Sequence, residues 1–232
     1  HEDRLVIYDG VSRSLFMPIG EPMSPKALHT LSGMAAGMGL SPDICLVPQA
    51  YVDASPELEK YYSIDTDRDA AEYIYLTENL AELKGTKLHK KRNLISQFKR
   101  RYPDFKVVPA TLDDLPDIRA FAKDLLNTMA PVPRSLVEEF CAMETAFSHW
   151  DTLDIKGLVV FVGEHIAAFS VFSPLTDDTW NVHFEKSNIA FKGAAQMINR
   201  ETAEFLKGRT LYINREQDLG NKGLRQAKLS YE

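Results

Sequence analysis

The stretch Ile155-Lys156-Gly157-Leu158-Val159-Val160-Phe161-Val162-Gly163-Glu164-His165-Ile166-Ala167-Ala168-Phe169-Ser170-Val171-Phe172-Ser173-Pro174 sets the architecture. Two apolar runs rich in β-branched and aromatic residues flank Gly163-Glu164. They read as two strands, Ile155–Val162 and Ile166–Pro174, joined in a hairpin. Downstream, Thr179–Ser187 is a strand and Gly193–Lys207 a helix stopped by Gly208. Thr210–Glu216 is a further strand and Gly220–Leu229 a last helix. Upstream, Phe105–Pro109 is a strand, and helices Leu115–Met129 and Ser135–Trp150 are split by Pro131-Val132-Pro133. The order β-α-α-β-β-β-α-β-α over 103–232 predicts a mixed sheet flanked by helices, an α/β fold of the α+β type.

The first half repeats this theme less completely. Leu5–Ile7 and Leu15–Pro18 flank the turn signal Asp9-Gly10 and predict a hairpin. Ser24-Pro25 opens a helix with serine at the cap and proline in the first turn, running to Met38. Ile44–Val47 is a short strand, and Ser55-Pro56 opens a second helix. Tyr61–Ile64 and Ala71–Leu76, around Asp65-Thr66-Asp67-Arg68-Asp69, predict a second hairpin. A long helix over 79–101, with a break at Gly85, ends at Tyr102-Pro103-Asp104, because a residue before proline avoids the helical region. The expected domains are 1–102 and 103–232.

The 232 residues are 44% hydrophobic and 26% charged, enough to bury two cores without a metal or disulfide staple. Cys45 and Cys141 stand far apart, in no metal-ligand spacing, which points to a reduced, cytoplasmic setting and to no metal site. No apolar run approaches the ~20 residues of a membrane span. The net charge of −6 argues against general nucleic-acid coating, yet Lys84–Arg101 holds eight Lys and Arg and no acid, a segment suited to gripping phosphates.

Three motifs carry a family resemblance. The first is Tyr75-Leu76-Thr77-Glu78-Asn79-Leu80 with Leu83-Lys84-Gly85-Thr86-Lys87-Leu88-His89-Lys90-Lys91-Arg92-Asn93. The second is Val182-His183-Phe184-Glu185-Lys186-Ser187-Asn188 with Lys192-Gly193-Ala194. The third is Tyr212-Ile213-Asn214-Arg215-Glu216-Gln217-Asp218-Leu219-Gly220 with Gly223-Leu224-Arg225 and Ala227-Lys228-Leu229-Ser230-Tyr231. In this order they resemble the soluble members of the phosphatidylglycerol lysyltransferase C-terminal domain family. The resemblance implies two tandem GNAT-like domains, the N-terminal one incomplete. It also implies acyl or aminoacyl transfer from a phosphate-bearing donor, aminoacyl-tRNA or acyl-CoA, with no tightly bound cofactor. The acceptor is an amine or hydroxyl that the motifs do not identify, and the oligomeric state stays unassigned. The alternative is a non-catalytic GNAT-like module that binds a ligand or regulates.

In GNAT-like sheets the strands corresponding to 179–187 and 210–216 run parallel and splay, and the donor lies in the gap. Alternation sends Asn181, His183 and Glu185 to one side and Asn214 and Glu216 to a shared side. The expected catalytic group is therefore His183, Glu185, Asn214 and Glu216, with Glu185 handling the proton and Asn214 holding the oxyanion. The structural alternative is a polar strand face with ordinary hydrogen bonds. The turn Asn188–Ala194 leads into a helix, and helix starts attract anions. Lys192, Gly193 and Ala194, with Asn188 and Asn221, are thus expected to bind the donor. Arg215 and Lys228 belong either to the site or to a salt-bridge cluster. Lys91 projects into the stripe Leu94, Ile95, Phe98, while Arg92 lies on the polar side of that helix. Glu201 needs a cation, Lys91 or Arg215. GNAT enzymes often carry a general-acid tyrosine on the last helix. Gln226 stands at that position here, and Tyr231 is nearby.

Overall fold

A computed structural model of the chain describes residues 3–11 and 13–232. It divides into two compact units at Thr66/Asp67. Each is a sheet–helix module. In the first, strands β1 (Tyr8–Asp9) and β2 (Ser14–Phe16) form an antiparallel hairpin in which Asp9, expected in the turn, pairs with Ser14 instead, and β3 (Ile44–Cys45) pairs parallel to β2. Helix α1 (Pro25–Gly37) starts where the Ser24 hydroxyl accepts from the Ala27 amide at 3.3 Å. Leu15, Leu28, Leu31 and Leu58 form the core of this unit. Helix α2 covers Gln49–Ala54, earlier than expected, and Pro56–Lys60 is a 3-10 turn.

The second unit holds a six-stranded sheet in the order β4-β9-β8-β7-β6-β5. Its elements are β4 (Ile74–Leu76), α3 (Thr77–Glu82), α4 (His89–Arg101), β5 (Lys106–Pro109), α5 (Leu115–Asn127), α6 (Arg134–Ser148), β6 (Lys156–Val162), β7 (His165–Pro174), β8 (Thr179–Ser187), α7 (Ala194–Leu206), β9 (Tyr212–Asn214) and α8 (Lys222–Leu229). Neighbouring strands are antiparallel except β8 and β9, which are parallel.

Two expectations are corrected. Tyr61–Ile64 forms no strand, so there is no second local hairpin. Ile74–Leu76 instead pairs with Asn214–Tyr212, far along the chain. There Tyr75 is buried, and its hydroxyl donates to the Lys228 carbonyl at 2.9 Å. The compact units also meet at residue 66 rather than at Tyr102, because β4, α3 and α4 pack with the second sheet. Phe98, fully buried, joins Ile198, Leu206 and Ile213 in one core.

That core lies between the sheet and helices α3, α4 and α7. A second core, with Ile118, Met143 and Phe147, lies under α5 and α6 on the opposite face. The two faces follow strand alternation until one break. Val171 pairs with Phe184 while Phe172 pairs with Val182, so His183 is an extra residue, a β-bulge in β8. Val182 consequently points into the α7 core, and Phe184 packs against the α5/α6 core.

Candidate active site

Strands β8 and β9 touch only briefly. They pair at Thr179 with Tyr212, Trp180 with Ile213 and Asn181 with Asn214. Beyond that point β8 continues to Ser187, while the chain after Asn214 turns away. Glu216 adopts φ 56°, and its amide donates to the Asn214 side-chain oxygen at 2.8 Å. Lys228 from α8 clamps the same turn. Its Nζ donates to the carbonyls of Arg215, Glu216 and Gln217 at 2.5, 3.1 and 2.5 Å. The result is a wedge-shaped gap between two parallel strands.

On the α6 side of this gap, His183 is held at both ring nitrogens. Nε2 lies 2.8 Å from Ser173 Oγ, and Nδ1 lies 3.2 Å from Glu216 Oε1. Asn181 Nδ2 donates to the same Glu216 oxygen at 2.6 Å and lies 3.1 Å from Nδ1. Asn181 is buried, and its Oδ1 has no partner among the described residues. Ser173 and His183 open onto a cavity of ≈ 410 Å³ whose other walls include Ala146, Leu153, Ile155, Val171 and Phe184.

On the α7 side lies a second charged group. Glu185 accepts from Arg215 Nη2 at 2.8 Å and from Asn199 Nδ2 at 3.3 Å. The Arg215 and Glu185 side chains are only 13% and 16% exposed. Burial, the largest cause, opposes the Arg215 charge, but Glu185 together with Tyr231 and Tyr75 outweighs it, and the net effect raises the guanidinium pKa. The Tyr231 ring lies 5.4 Å from the Arg215 guanidinium carbon and 4.1 Å from Lys91 Nζ. Burial first, then Arg215, lower the Lys91 pKa, and Glu185 partly compensates. The same two causes lower Lys228 to about 8. Burial raises the Tyr231 phenol.

The expectation of one pocket lined by His183, Glu185, Asn214 and Glu216 is therefore corrected. The bulge at His183 sends Glu185 to the other face, where its oxygens are committed to Arg215 and Asn199. Asn214 is 1% exposed and serves the turn into Glu216.

The other expected residues scatter. Gly193 sits at φ 95°, and a Cβ there would meet the Leu94 carbonyl oxygen at 2.5 Å, so its glycine lets α7 approach α4. Ala194 is buried in the same contact region, whereas Lys192 is exposed. Asn188 closes a local turn by accepting from the Ala190 amide at 2.9 Å. Asn221 caps α8 by accepting from the Leu224 amide at 3.0 Å, the N-cap role its residue type favours. Arg92 donates to the carbonyls of Leu83 and Gly85 just beyond α3. Glu201 pairs with its neighbour Arg200 at 2.8 Å rather than with Lys91 or Arg215. Asp218 is a structural anchor. Arg225 grips its two oxygens at 2.8 and 2.7 Å, Tyr73 donates at 2.6 Å, and Arg225 above all holds the carboxyl well below the usual range. Ser173 was not anticipated. Its signal is a serine near the end of a mostly apolar strand, cross-strand from Asn181. Among the described residues no group of three or more His, Cys, Asp or Glu converges as a metal site, and no helix is long and apolar enough to cross a membrane.

The family model for phosphatidylglycerol lysyltransferase, C-terminal, matches residues 1–232. The chain belongs to this family. A conserved protein of unknown function from Bacteroides thetaiotaomicron VPI-5482 shares 33% identity over 94% of this chain and 75% of its own, with a TM-score of 0.82. Two further structures share the fold of this lysyltransferase-family chain at lower identity. The C-terminal domain of a putative lysylphosphatidylglycerol synthetase from Agrobacterium fabrum is 15% identical over 99% of this chain and 80% of its own, TM-score 0.55. L-PGS from Bacillus licheniformis is 13% identical over 99% and 80%, TM-score 0.52. No curated protein gives a significant match.

Proposed function

We propose that the chain is a transferase that moves an aminoacyl or acyl group from a phosphate-bearing donor to an amine or hydroxyl acceptor. The chemistry takes place in the gap between β8 and β9, on the face that carries His183. The two sheet–helix modules are read as tandem GNAT-like domains, the first incomplete, with the site within 103–232. Membership of a lysyltransferase family supports aminoacyl-tRNA as donor, with acyl-CoA as the second donor class.

One observation carries the reading. His183, backed by Glu216 at 3.2 Å, stands at the mouth of the ≈ 410 Å³ cavity beside the point where two parallel strands part. In this role His183 takes the acceptor's proton, and Glu216 fixes its tautomer and steadies the imidazolium. Lys192, exposed beside the start of α7, is the donor-phosphate contact. Gln226, where acetyltransferases carry a tyrosine, favours the second reading, a module that binds the donor without turnover.

Thermal shift with lysyl-tRNA, coenzyme A and acetyl-CoA tests donor choice. Transfer of radiolabelled lysine or acetyl to an amine or glycerol-lipid pool tests turnover. The expected result is stabilisation by one donor class and transfer that His183→Ala removes. Stabilisation without transfer selects the module, and indifference to all three donors rejects both readings.

A further inference from the structure

We propose that Ser173 is a nucleophile that carries the acyl group as a covalent ester, with His183 as its base and Glu216 as the carboxylate that orients His183. The three side chains come from three segments: the end of β7, the bulge in β8 and the turn after β9. They form a continuous line, Ser173 Oγ to His183 Nε2 at 2.8 Å and His183 Nδ1 to Glu216 Oε1 at 3.2 Å. A serine–histidine–carboxylate relay is recognised by this geometry and not by fold or chain order.

The surroundings fit the roles. With Glu216 accepting from Nδ1–H, the Nε2 lone pair faces the Ser173 hydroxyl, and that is the activation a serine needs. Asn181 fixes the same Glu216 oxygen at 2.6 Å from a site where it is nine-tenths buried. Alternation keeps His183 on the Asn181 side, and the bulge adds Phe184 to that side while it turns Glu185 away. Ser173 and His183 both line the cavity, so the relay ends at open space and not inside the core. The walls combine apolar Leu153, Ile155, Val171 and Phe184 with one carboxylate, Asp154, a lining that suits an acyl group with an apolar body and an amine, delivered as an ester or thioester.

The reaction balances as follows. Ser173 Oγ attacks the acyl carbon, and its proton passes to His183 Nε2. The bond from the acyl carbon to the donor oxygen or sulfur breaks, and the leaving atom takes that proton. An acceptor amine, hydroxyl or water then attacks the acyl-serine and gives its proton to Nε2, which returns it to Ser173 Oγ. Donor ester plus acceptor thus become free donor plus acylated acceptor.

The test is labelling of the full chain with an alkyl fluorophosphonate, followed by peptide mapping. The serine oxygen bonds to phosphorus and fluoride leaves, so no tRNA or coenzyme A is needed. The expected result is one equivalent of adduct on Ser173, absent in Ser173→Ala and slowed at least about 100-fold in His183→Ala. Circular dichroism checks that each variant is folded. If Ser173→Ala does not fold, the adduct position in the unsubstituted protein still gives the answer. A folded protein that stays unlabelled, or an adduct mapped elsewhere, overturns the inference. Because the inference shares His183 with the proposed transferase but not its donor, the two fail separately. Labelling without transfer keeps the nucleophile and rejects the transferase, whereas transfer without labelling leaves direct attack as the route.

Discussion

Two residues apart on β8, His183 and Glu185 meet opposite fates. His183 opens onto a cavity and is bonded to a partly exposed carboxylate and a serine. Glu185 is locked beneath α7 against Arg215 and Asn199. Both belong to one stretch of charged and polar residues, so residue type does not separate them. What separates them is access to solvent and the number of bonds already made. A group that ends in open space can exchange protons with a substrate. A group whose oxygens are already satisfied holds the scaffold. The wedge between β8 and β9 therefore has one face open to the cavity, the proposed reactive face, and one fastened face.

Breaking the fastened face gives the largest expected effect. Glu185→Gln leaves the Arg215 guanidinium without its counter-charge in a site only 13% exposed. Removing one member of a buried pair typically costs about 3–5 kcal/mol. Urea unfolding of Glu185→Gln and Arg215→Met should each show a loss in that range. Their double variant should lose less than the sum, because neither charge is then stranded. A loss below about 1 kcal/mol in either single variant would show that the pair does not fasten this face.

The same contrast shows how far the residues alone could be read. Every strand of the second sheet from β5 onward overlaps an expected strand, and β8 matches its expected span. Ile74–Leu76 is equally legible as a strand, but its partner is not, because a partner far along the chain leaves no trace in local spacing. The candidate site is half legible. Alternation places Asn181 and His183 together correctly and then fails at Glu185, since nothing in Val182-His183-Phe184 announces an extra residue. Gly193 illustrates the opposite ambiguity. Glycine before a helix fits both an anion cradle and a close helix contact, and only the Leu94 carbonyl 2.5 Å from its would-be Cβ distinguishes them.

Gly193→Ala tests that contact on the fastened side. The substitution puts a side chain at φ 95° and drives it against the α4 backbone, which cannot yield as a flexible side chain would. Left-handed strain alone costs about 1–2 kcal/mol, so the total should exceed about 2 kcal/mol. The matching measurement is the unfolding midpoint of Gly193→Ala against Ala195→Gly. An unchanged midpoint in Gly193→Ala would mean that α7 and α4 do not pack this closely.

A smaller effect comes from Lys228. Its folded pKa of about 8 lies below the ordinary lysine value of 10.5, because burial and Arg215 disfavour the ammonium. Between these values the unfolded chain binds more protons, so stability rises with pH. At ~1.4 kcal/mol per unit, the rise from pH 8 to pH 10 is about 2 kcal/mol. Tyr75 and Tyr231, whose pKa values are raised by burial, reverse the trend once the unfolded phenols ionise, so the window closes near pH 10. Lys91, also lowered, adds in the same direction. Lys228→Met should flatten most of the rise in denaturant titrations at each pH. A slope identical to that of the unsubstituted protein would place the pH response elsewhere.

The smallest expected change is on the reactive face, and it is the strictest check of the comparison. Glu216→Gln is the same chemical substitution as Glu185→Gln, made across the same gap. Here the carboxylate is 37% exposed and its histidine partner 32% exposed. Solvent screens such a pair, and exposed pairs are worth about 0–1 kcal/mol. The amide oxygen of glutamine can still accept from Asn181 Nδ2, so the 2.6 Å bond that holds the side chain in place survives. The Lys228 clamp acts on the Glu216 backbone carbonyl and is untouched. Stability should therefore move by less than about 1 kcal/mol in the same urea series that shows the large loss for Glu185→Gln. What changes is the imidazole, which no longer faces a carboxylate at Nδ1. The His183 ring resonances in NMR spectra should move in Glu216→Gln and stay put in Glu185→Gln. Equal stability losses in the two variants, or His183 resonances indifferent to Glu216, would erase the distinction between the two faces.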